Sequence, residues 1–329
     1  MNFIKLDILV LLDQHKKITA VADALGVKQP TITFHMKSLE EQYGVPLFET
    51  YGGRYKLTRA GTALLHYARK IRALGLEAGR IMAEQRSPEK GIFHIGASYV
   101  AGTYLLPVWI HQFREAYPEV EVRLTIRTAP VIRQMLAERQ IDIGFISAQK
   151  ASTEDELYYE AICEDKLVVA YSVNHPLAKK NNIHQVITDC NDLTDGLTNI
   201  TPNFSMHSNA DKSTILPEEL AAYPFLLHGS QSTTREMTNH WAQINNISFK
   251  NGIEMDSIES IKRTLVYGNN ITFISYTAIQ EEVAFGKLAC EDIHKDLPQR
   301  MIFVCYNPER WISPQMNAFL EIIREQKPI

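Results

Sequence analysis

The chain has 329 residues, 45% hydrophobic and 22% charged, with a net charge of −4. That balance fits an ordinary globular protein of two or three domains and excludes a disordered or collagen-like chain. No run of about 18 apolar residues occurs, which excludes a membrane-spanning helix.

The charge is unevenly placed. Residues 1–90 carry 14 Lys and Arg against 9 Asp and Glu, whereas the rest carries 20 against 29. A net +5 at the N-terminal end is the electrostatic footprint of a nucleic-acid-binding module. The opening MNFIKLDILVLLDQHKK is interrupted by Asp7 and Asp13 and has no small-residue cleavage site. It reads as an amphipathic first helix, not a signal peptide, so a cytoplasmic location is expected.

From Thr19 to Tyr43 the pattern predicts two short helices and a tight turn. Ala20, Ala22, Ala24 and Leu25 make the first helix compact. Gly26 suits a left-handed helix end, and Val27 is expected to plug the corner. Gln29-Pro30 opens the second helix, where proline's missing N–H costs nothing. Ile32, Met36, Leu39 and Tyr43 recur at helical spacing and predict the buried stripe. Gln29, Thr31, Thr33, Phe34 and Lys37 occupy the opposite face, which has no acid group until Glu40. Hydroxyls, an amide and a lysine suit base edges and phosphates, as in a helix-turn-helix. The bland alternative is a helical hairpin in an unrelated domain. The following YGGRYKLT reads as a glycine-turned, two-strand wing carrying Arg54, Lys56 and, just beyond, Arg59.

This run resembles the N-terminal domain of LysR-type transcriptional regulators. The shared features are Ala20, Ala24-Leu25, Gln29-Pro30, Leu39-Glu40, Gly44, Leu47-Phe48, Leu57-Thr58 and Ala60-Gly61. The resemblance implies DNA binding through Thr19, Lys28, Gln29, Pro30, Thr31, Thr33, Phe34, Lys37, Arg54 and Lys56. Three positions depart from the family pattern. Lys28 stands where a capping serine is usual, which removes a helix cap. Thr33 replaces a serine and keeps the hydroxyl. Thr50 stands where arginine is common, and Arg54 is the nearest substitute for that charge.

Thr58 is expected to cap a long helix running to about Arg86, roughly 40 Å at 1.5 Å per residue. Leu64, Leu65, Ala68, Ile71, Leu74, Ala78, Ile81 and Met82 form a stripe near heptad spacing. The stripe exceeds what a small domain covers, so a second copy of the helix is the expected partner. Packing on the C-terminal half is the other reading. Ser87-Pro88 and Gly91 then break the helix.

Beyond Ile92, strand and helix patterns alternate, which predicts parallel, doubly wound sheets. Expected strands include IFHIGAS, EVEVRLTIRT, IDIGFISA, KLVVAYSV, NITFISY and MIFVCYN. Expected helices include 103–118, 130–140, TTREMTNHWAQI, SIESIKRTLVYG and one from Ser313 to Gln326. Two such units imply a cleft, as in periplasmic solute-binding proteins. This half is similar to the LysR effector domain at Gly96, Ser98, Tyr104-Leu105-Leu106-Pro107, Phe113, Tyr117-Pro118, Asp142-Ile143-Gly144, His175-Pro176-Leu177-Ala178 and Tyr223-Pro224-Phe225.

The resulting division is α/β with a winged helix-turn-helix (1–60), a linker helix and hinge (61–90), and a two-lobed, periplasmic-binding-protein-like effector domain. Its first lobe takes 91–165 plus 271–329, and its second takes 166–270. The resemblance implies crossings between lobes near Asp165 and near Gly268 to Ile271. The polar stretch 183–216 reads as an inserted loop, longer than loops in compact domains usually are. Covering the cleft, touching another subunit and a solvated excursion stand as its three readings.

Ser98 and Tyr99 follow one strand, Thr128 and Ser147 end two others, and Gly229, Ser230, Gln231, Ser232 and Thr233 precede a helix. Strand C-terminal ends and helix N-termini are where open α/β sheets bind ligands and anions. The effector site is therefore expected at Ser98, Tyr99, Thr128, Ser147, Ser230, Gln231 and Ser232. Hydroxyls without a matching acid favour an anionic ligand. Each hydroxyl alone is better read as a helix cap; the convergence carries the site. Arg235 reads either as added charge or as a surface residue, and His228 lies beside the cleft.

Cys163, Cys190, Cys290 and Cys305 show no metal spacing. The eleven histidines form no triad or zinc pattern, so neither a metal, another cofactor nor catalysis is expected. Cys163 and Cys305 read as buried thiols, and Cys190 as a loop thiol. The function expected is a ligand-responsive transcription factor. The resemblance implies promoter DNA, a small-molecule effector, RNA polymerase and further copies of the chain as partners, with dimers assembling to a homotetramer. The alternative is a solute-binding protein or enzyme on the same two-lobed fold.

Overall fold

The computed structural model describes residues 2–86, 90–153, 155–180, 215–249, 252–292 and 299–325. The chain divides into two compact units: residues 1–91 with the short segment 138–140, and the remainder.

In the first unit, Asn2 starts helix α1 (Phe3–His15) by accepting the Ile4 N–H at 2.7 Å. The sequence predicted one apolar face, but α1 is buried on two. Ile8 and Leu12 pack with Val21, Ala22, Ile32 and Met36, while Leu6, Leu9 and Val10 pack with Leu65 and Ala68. A helix apolar on most sides belongs inside, and the module condenses around this one.

Helices α2 (Ile18–Leu25) and α3 (Gln29–Tyr43) follow. Gly26 has φ +65°, and the Val27 N–H donates to the Ala22 carbonyl at 3.0 Å. The Val27 side chain is exposed, so it closes the corner through its backbone and does not plug it. Ile32, Met36 and Leu39 are buried as expected. Tyr43 is not, because it is the final residue of α3 and projects past the core.

Strands β1 (Phe48–Tyr51) and β2 (Arg54–Leu57) form the wing. Tyr51 pairs with Arg54 across Gly52-Gly53, whose φ angles of +58° and +72° meet the demand of a two-residue hairpin turn. The Thr58 hydroxyl accepts the Gly61 N–H at 3.0 Å and caps α4 (Arg59–Arg86), 28 residues long. Leu65 and Ala68 on its first half are buried. Leu74, Leu76 and Met82 on its second half are exposed.

The second unit has two lobes. The first contains β3 (Gly91–Ala97), a π-turn (Ala101–Leu105), α5 (Leu106–Ala116), β4 (Val120–Ile126), α6 (Ala129–Ala137), β5 (Ile143–Ala148) and β6 (Tyr158–Glu164). Where an unbroken helix was expected from 103, Pro107 lacks the N–H and its ring crowds the preceding turn. The Leu106 N–H reaches back to the Ala101 carbonyl, which gives the π-turn.

The second lobe contains β7 (Leu167–Ser172), α7 (Pro176–Lys180), α8 (Pro217–Ala221), β8 (Leu226–His228), α9 (Thr233–Ile244), β9 (Ile253–Met255), α10 (Ile258–Val266), β10 (Ile271–Ser275), α11 (Tyr276–Ala284) and β11 (Leu288–Asp292). Strand β12 (Met301–Tyr306) and helix α12 (Pro314–Glu325) then return to the first lobe.

The first sheet runs β4-β3-β5-β12-β6. Its helices cover both faces. Trp109, Phe113 and Phe319 pack on one side with Phe93 and Phe145, and Ile132 and Leu136 pack on the other with Ile146 and Phe303. Strands β3 and β5 are parallel, but β12 is antiparallel to both β5 and β6. The sheet is therefore mixed, not wholly parallel: the chain enters β12 from the other lobe, at the opposite end.

The second lobe has β10-β7-β11, antiparallel, and a parallel β8-β9 pair joined to it through a Phe225–Ile271 bridge. The first crossing is at Asp165, as expected. The second was misplaced. Residues 271–292 pair with β7 and belong to the second lobe, and the return lies between Asp292 and Met301. Most of the stretch 183–216, together with Cys190, lies outside the described residues. Among the described residues no helix is long and apolar enough to cross a membrane, and no cluster of metal-ligating side chains occurs.

Candidate functional site

On α3, Gln29, Thr31, Phe34 and Lys37 are exposed, opposite the buried stripe. Lys28 makes no side-chain cap; Pro30 has no N–H to satisfy, and the Thr31 N–H donates to the Lys28 carbonyl at 3.0 Å. Thr19 and Pro30 are also exposed. Thr33 is half-buried, and its hydroxyl donates to the Gln29 carbonyl at 3.2 Å. Glu40, the first acid of the helix, is turned inward and accepts the Leu47 and Phe48 N–H groups at 2.7 and 3.1 Å. This removes its charge from the outer face and fixes where the wing begins. Arg54 and Lys56 are exposed on the wing, with the Lys56 ammonium 5.3 Å from the Tyr51 ring centroid. The exposed groups are mostly polar and basic, which suits contact with phosphates and base edges.

The second unit holds a cleft of about 470 Å³ between its lobes, within the roughly 300–1,000 Å³ typical of small-molecule sites. Ser98, Tyr99, Thr128, Ser147, Ser230, Gln231 and Ser232 all line it. Strands β3 and β5 are parallel neighbours, so the residues after them meet. Ser98 Oγ accepts the Ser147 N–H at 3.1 Å, and the two hydroxyl oxygens lie 3.4 Å apart. Ser232 caps α9 by accepting the Thr234 N–H at 3.2 Å. The Thr233 hydroxyl crosses to the Ser147 carbonyl at 3.4 Å. Thr128 Oγ1 is buried with no hydrogen-bond partner among the described residues. A buried hydroxyl left unpaired costs on the order of 1–3 kcal/mol, so a ligand atom there would recover much of that.

The sequence reading missed the charged floor. Asp165 and Arg300, one at each crossing, form a fully buried pair with Nε 2.9 Å from Oδ2. Ser275 donates to the other carboxylate oxygen at 2.5 Å. Arg300 Nη1 donates to Thr234 Oγ1 at 2.8 Å, while Nη2 has no hydrogen-bond partner among the described residues. The available signal was an arginine set directly against the apolar MIFVCY strand, and an acid placed two residues ahead of the wholly buried LVVAYS strand.

His228 lines the cleft. Its Nε2 lies 3.0 Å from the Phe273 carbonyl, which fixes the N–H there. Burial first, and the neighbouring Arg300 guanidinium second, push its pKa down to about 4, so the ring is neutral at physiological pH. The expectation of a cleft free of acids is corrected: Glu254 on β9 and Asp256 just after it line the cleft as well. Arg235 is not a free surface charge. It donates to Glu254 and to the His228 carbonyl, each at 2.8 Å.

A second contact spans the lobes. Tyr104 donates to Glu259 at 2.6 Å, and Lys262 bonds Glu259 and Glu282 at 2.9 Å each while lying 5.1 Å from the Tyr104 ring centroid. Cys163 and Cys290 are pushed up by burial to about 11 and about 12, and Cys305 is raised for the same reason. These thiols stay protonated and are poor nucleophiles.

A winged helix-turn-helix followed by a two-lobed, ligand-sized cleft defines a DNA-binding regulator with an effector domain. The sequence model "Bacterial regulatory helix-turn-helix protein, lysR family" matches residues 3–62, and "LysR substrate binding domain" matches 86–190 and 205–328. The chain belongs to the LysR family of transcriptional regulators. The gap at 191–204 falls inside the stretch read as an insertion. A "Probable RuBisCO transcriptional regulator" of Trichormus variabilis is 30% identical over 93% of this chain and 82% of its own. The protein so named in Synechocystis sp. is 30% identical over 97% and 87%. Among solved structures, full-length CbnR is 18% identical with TM-score 0.62, covering 100% of both chains. A full-length OxyR variant from Pseudomonas aeruginosa is 20% identical with TM-score 0.61, covering 99% and 94%. At these identities the solved structures speak for the fold.

Proposed function

We propose that the chain is a cytoplasmic, homotetrameric regulator. It reads promoter DNA through α3 and the wing, and it takes as effector a small metabolite bearing a carboxylate or phosphate. The anionic group sits by Ser98, Thr128 and Ser147, and the hydroxyl- or amine-bearing remainder faces Asp256. The observation that carries this reading is the unpartnered, buried Thr128 hydroxyl beside the Ser98–Ser147 pair. The exposed apolar side chains on the second half of α4 support self-association, which fits two-fold operator half-sites.

Ligand screening of the full chain by thermal shift tests the effector class. Carboxylates and phosphate esters are expected to raise the midpoint, and Ser98→Ala and Thr128→Val are expected to abolish that rise. Stabilisation by uncharged compounds alone would overturn the anionic reading. The names of the curated relatives make RuBisCO gene promoters the first DNA to test alongside the chain's own upstream region. RNA polymerase contact would be tested by retention of polymerase on the promoter complex.

A further inference from the structure

Phe34 is the least expected residue on the DNA-facing surface. The residue is 67% exposed, and its ring meets the neighbouring His35 ring edge-on at 5.6 Å. It contributes nothing to the core, because Ile32, Met36 and Leu39 face the other way. Its surroundings limit what could cover it. Thr31 and Lys37, one helical turn away on either side, are exposed, and so is Gln29. No carboxylate shares this half of the helix, since Glu40 is consumed at the start of the wing. A face of donors, hydroxyl and cation around one aromatic ring matches a groove that has phosphates at its walls and one kind of apolar projection on its floor. In the major groove that projection is the 5-methyl group of thymine. Phe34 also lies in the N-terminal half of α3, the part of a recognition helix that reaches base edges.

We infer that Phe34 is a specificity-determining residue that reads a thymine 5-methyl group in each operator half-site. The inference rests on α3 being the recognition helix. It assigns a base and an atom, where the family assignment gives only a groove.

The test uses the full chain. Preferred sites are first selected from randomised duplex DNA, and each thymine is then replaced singly by deoxyuridine, which lacks only the methyl group. Removing the methyl at the position read is expected to weaken wild-type binding about fourfold per half-site and about fifteenfold when both half-sites are changed, as for one buried methylene-sized group. Phe34→Ala is expected to bind thymine and uracil sites equally, with the salt dependence of the wild type, because no phosphate contact is lost. Phe34→Leu should keep part of the discrimination, and its retention of wild-type circular dichroism guards against misfolding. A uracil-insensitive wild type would overturn the inference while leaving site selection intact. So would a methyl effect surviving in Phe34→Ala, which would assign the contact to Thr31. Selection that recovers no preferred sequence would instead remove the recognition-helix reading, and the inference with it.

Discussion

The helix α3 face and the effector cleft are both polar, but they hold their polar groups differently. Gln29, Thr31 and Lys37 project outward, and no hydrogen bond of their side chains occurs among the described residues. In the cleft, most groups are already engaged with one another. Ser98 is bonded to Ser147, Thr233 to Ser147, Arg300 to Thr234 and Arg235 to Glu254, and Arg300 is ion-paired with Asp165. A ligand of the first surface adds contacts to side chains that are not engaged within the fold. A ligand of the second meets the unpartnered Thr128 hydroxyl among groups already bonded, two of whose bonds, Thr233 to Ser147 and Arg300 to Thr234, join the lobes. DNA binding is thus separable from the stability of the fold, whereas effector binding is coupled to the lobe arrangement, which is what a switch requires.

The strongest way to break that contrast is at Arg300. Arg300→Met leaves Asp165 buried without its partner and is expected to cost about 3–5 kcal/mol in urea unfolding. Asp165→Leu combined with Arg300→Met should recover much of the loss, since a paired charge replaced by apolar groups is often neutral. An Arg300→Met variant as stable as wild type would show that the buried Asp165–Arg300 pair does not hold the two crossings together.

Acid acts next. The His228 pKa is lowered from its unfolded value to about 4, so the unfolded chain binds the extra proton between about pH 6.5 and pH 4. Stability from this group is complete above the upper value and is lost as pH falls through that window. His175, lowered mainly by burial, acts in the same direction. From pH 7.5 to 5, His228 alone is expected to cost about 2 kcal/mol. His228→Asn should flatten the dependence, and an unchanged slope would contradict the buried neutral ring.

Tyr104→Phe removes the donor to Glu259 and is expected to cost about 1 kcal/mol, with effector affinity altered and DNA affinity of the effector-free protein unchanged. The smallest effect on stability is expected on α3 and the wing. Lys37→Ala and Arg54→Ala should leave unfolding within about 0.5 kcal/mol of wild type, while each reduces the slope of log affinity against log salt by about one. Unchanged slopes would reassign both to the surface.

What the sequence made legible follows the range of the interactions involved. The helix-turn-helix, the wing and the Thr58 cap are specified by neighbours a few residues apart, and Gly26 and Gly52-Gly53 stand where backbone geometry demands them. The wholly buried strands β7 and β10, and β5 buried up to its last residue, read as apolar runs. Strand β6 did not, since YYEAICE is mixed and half-exposed at a sheet edge. The α11–β11 pair was missed too, and with it the true return crossing. The lobe to which Ile271–Asp292 belongs is decided by pairing with β7, about a hundred residues earlier, which local pattern does not encode. The hydroxyls of the cleft were legible because strand ends and helix starts are local features. Arg300, Asp165, Glu254 and Asp256 were not, because their meeting depends on how the two lobes close.

The most direct test is the binding of the purified full chain to its own upstream DNA and to random DNA of equal length across a salt series. A preference for the upstream DNA that persists near physiological salt is expected, with weaker and steeply salt-sensitive binding to random DNA. Equal and equally salt-sensitive binding to both would mean that α3 and the wing form only a basic surface, and would contradict the reading of this chain as a sequence-specific regulator.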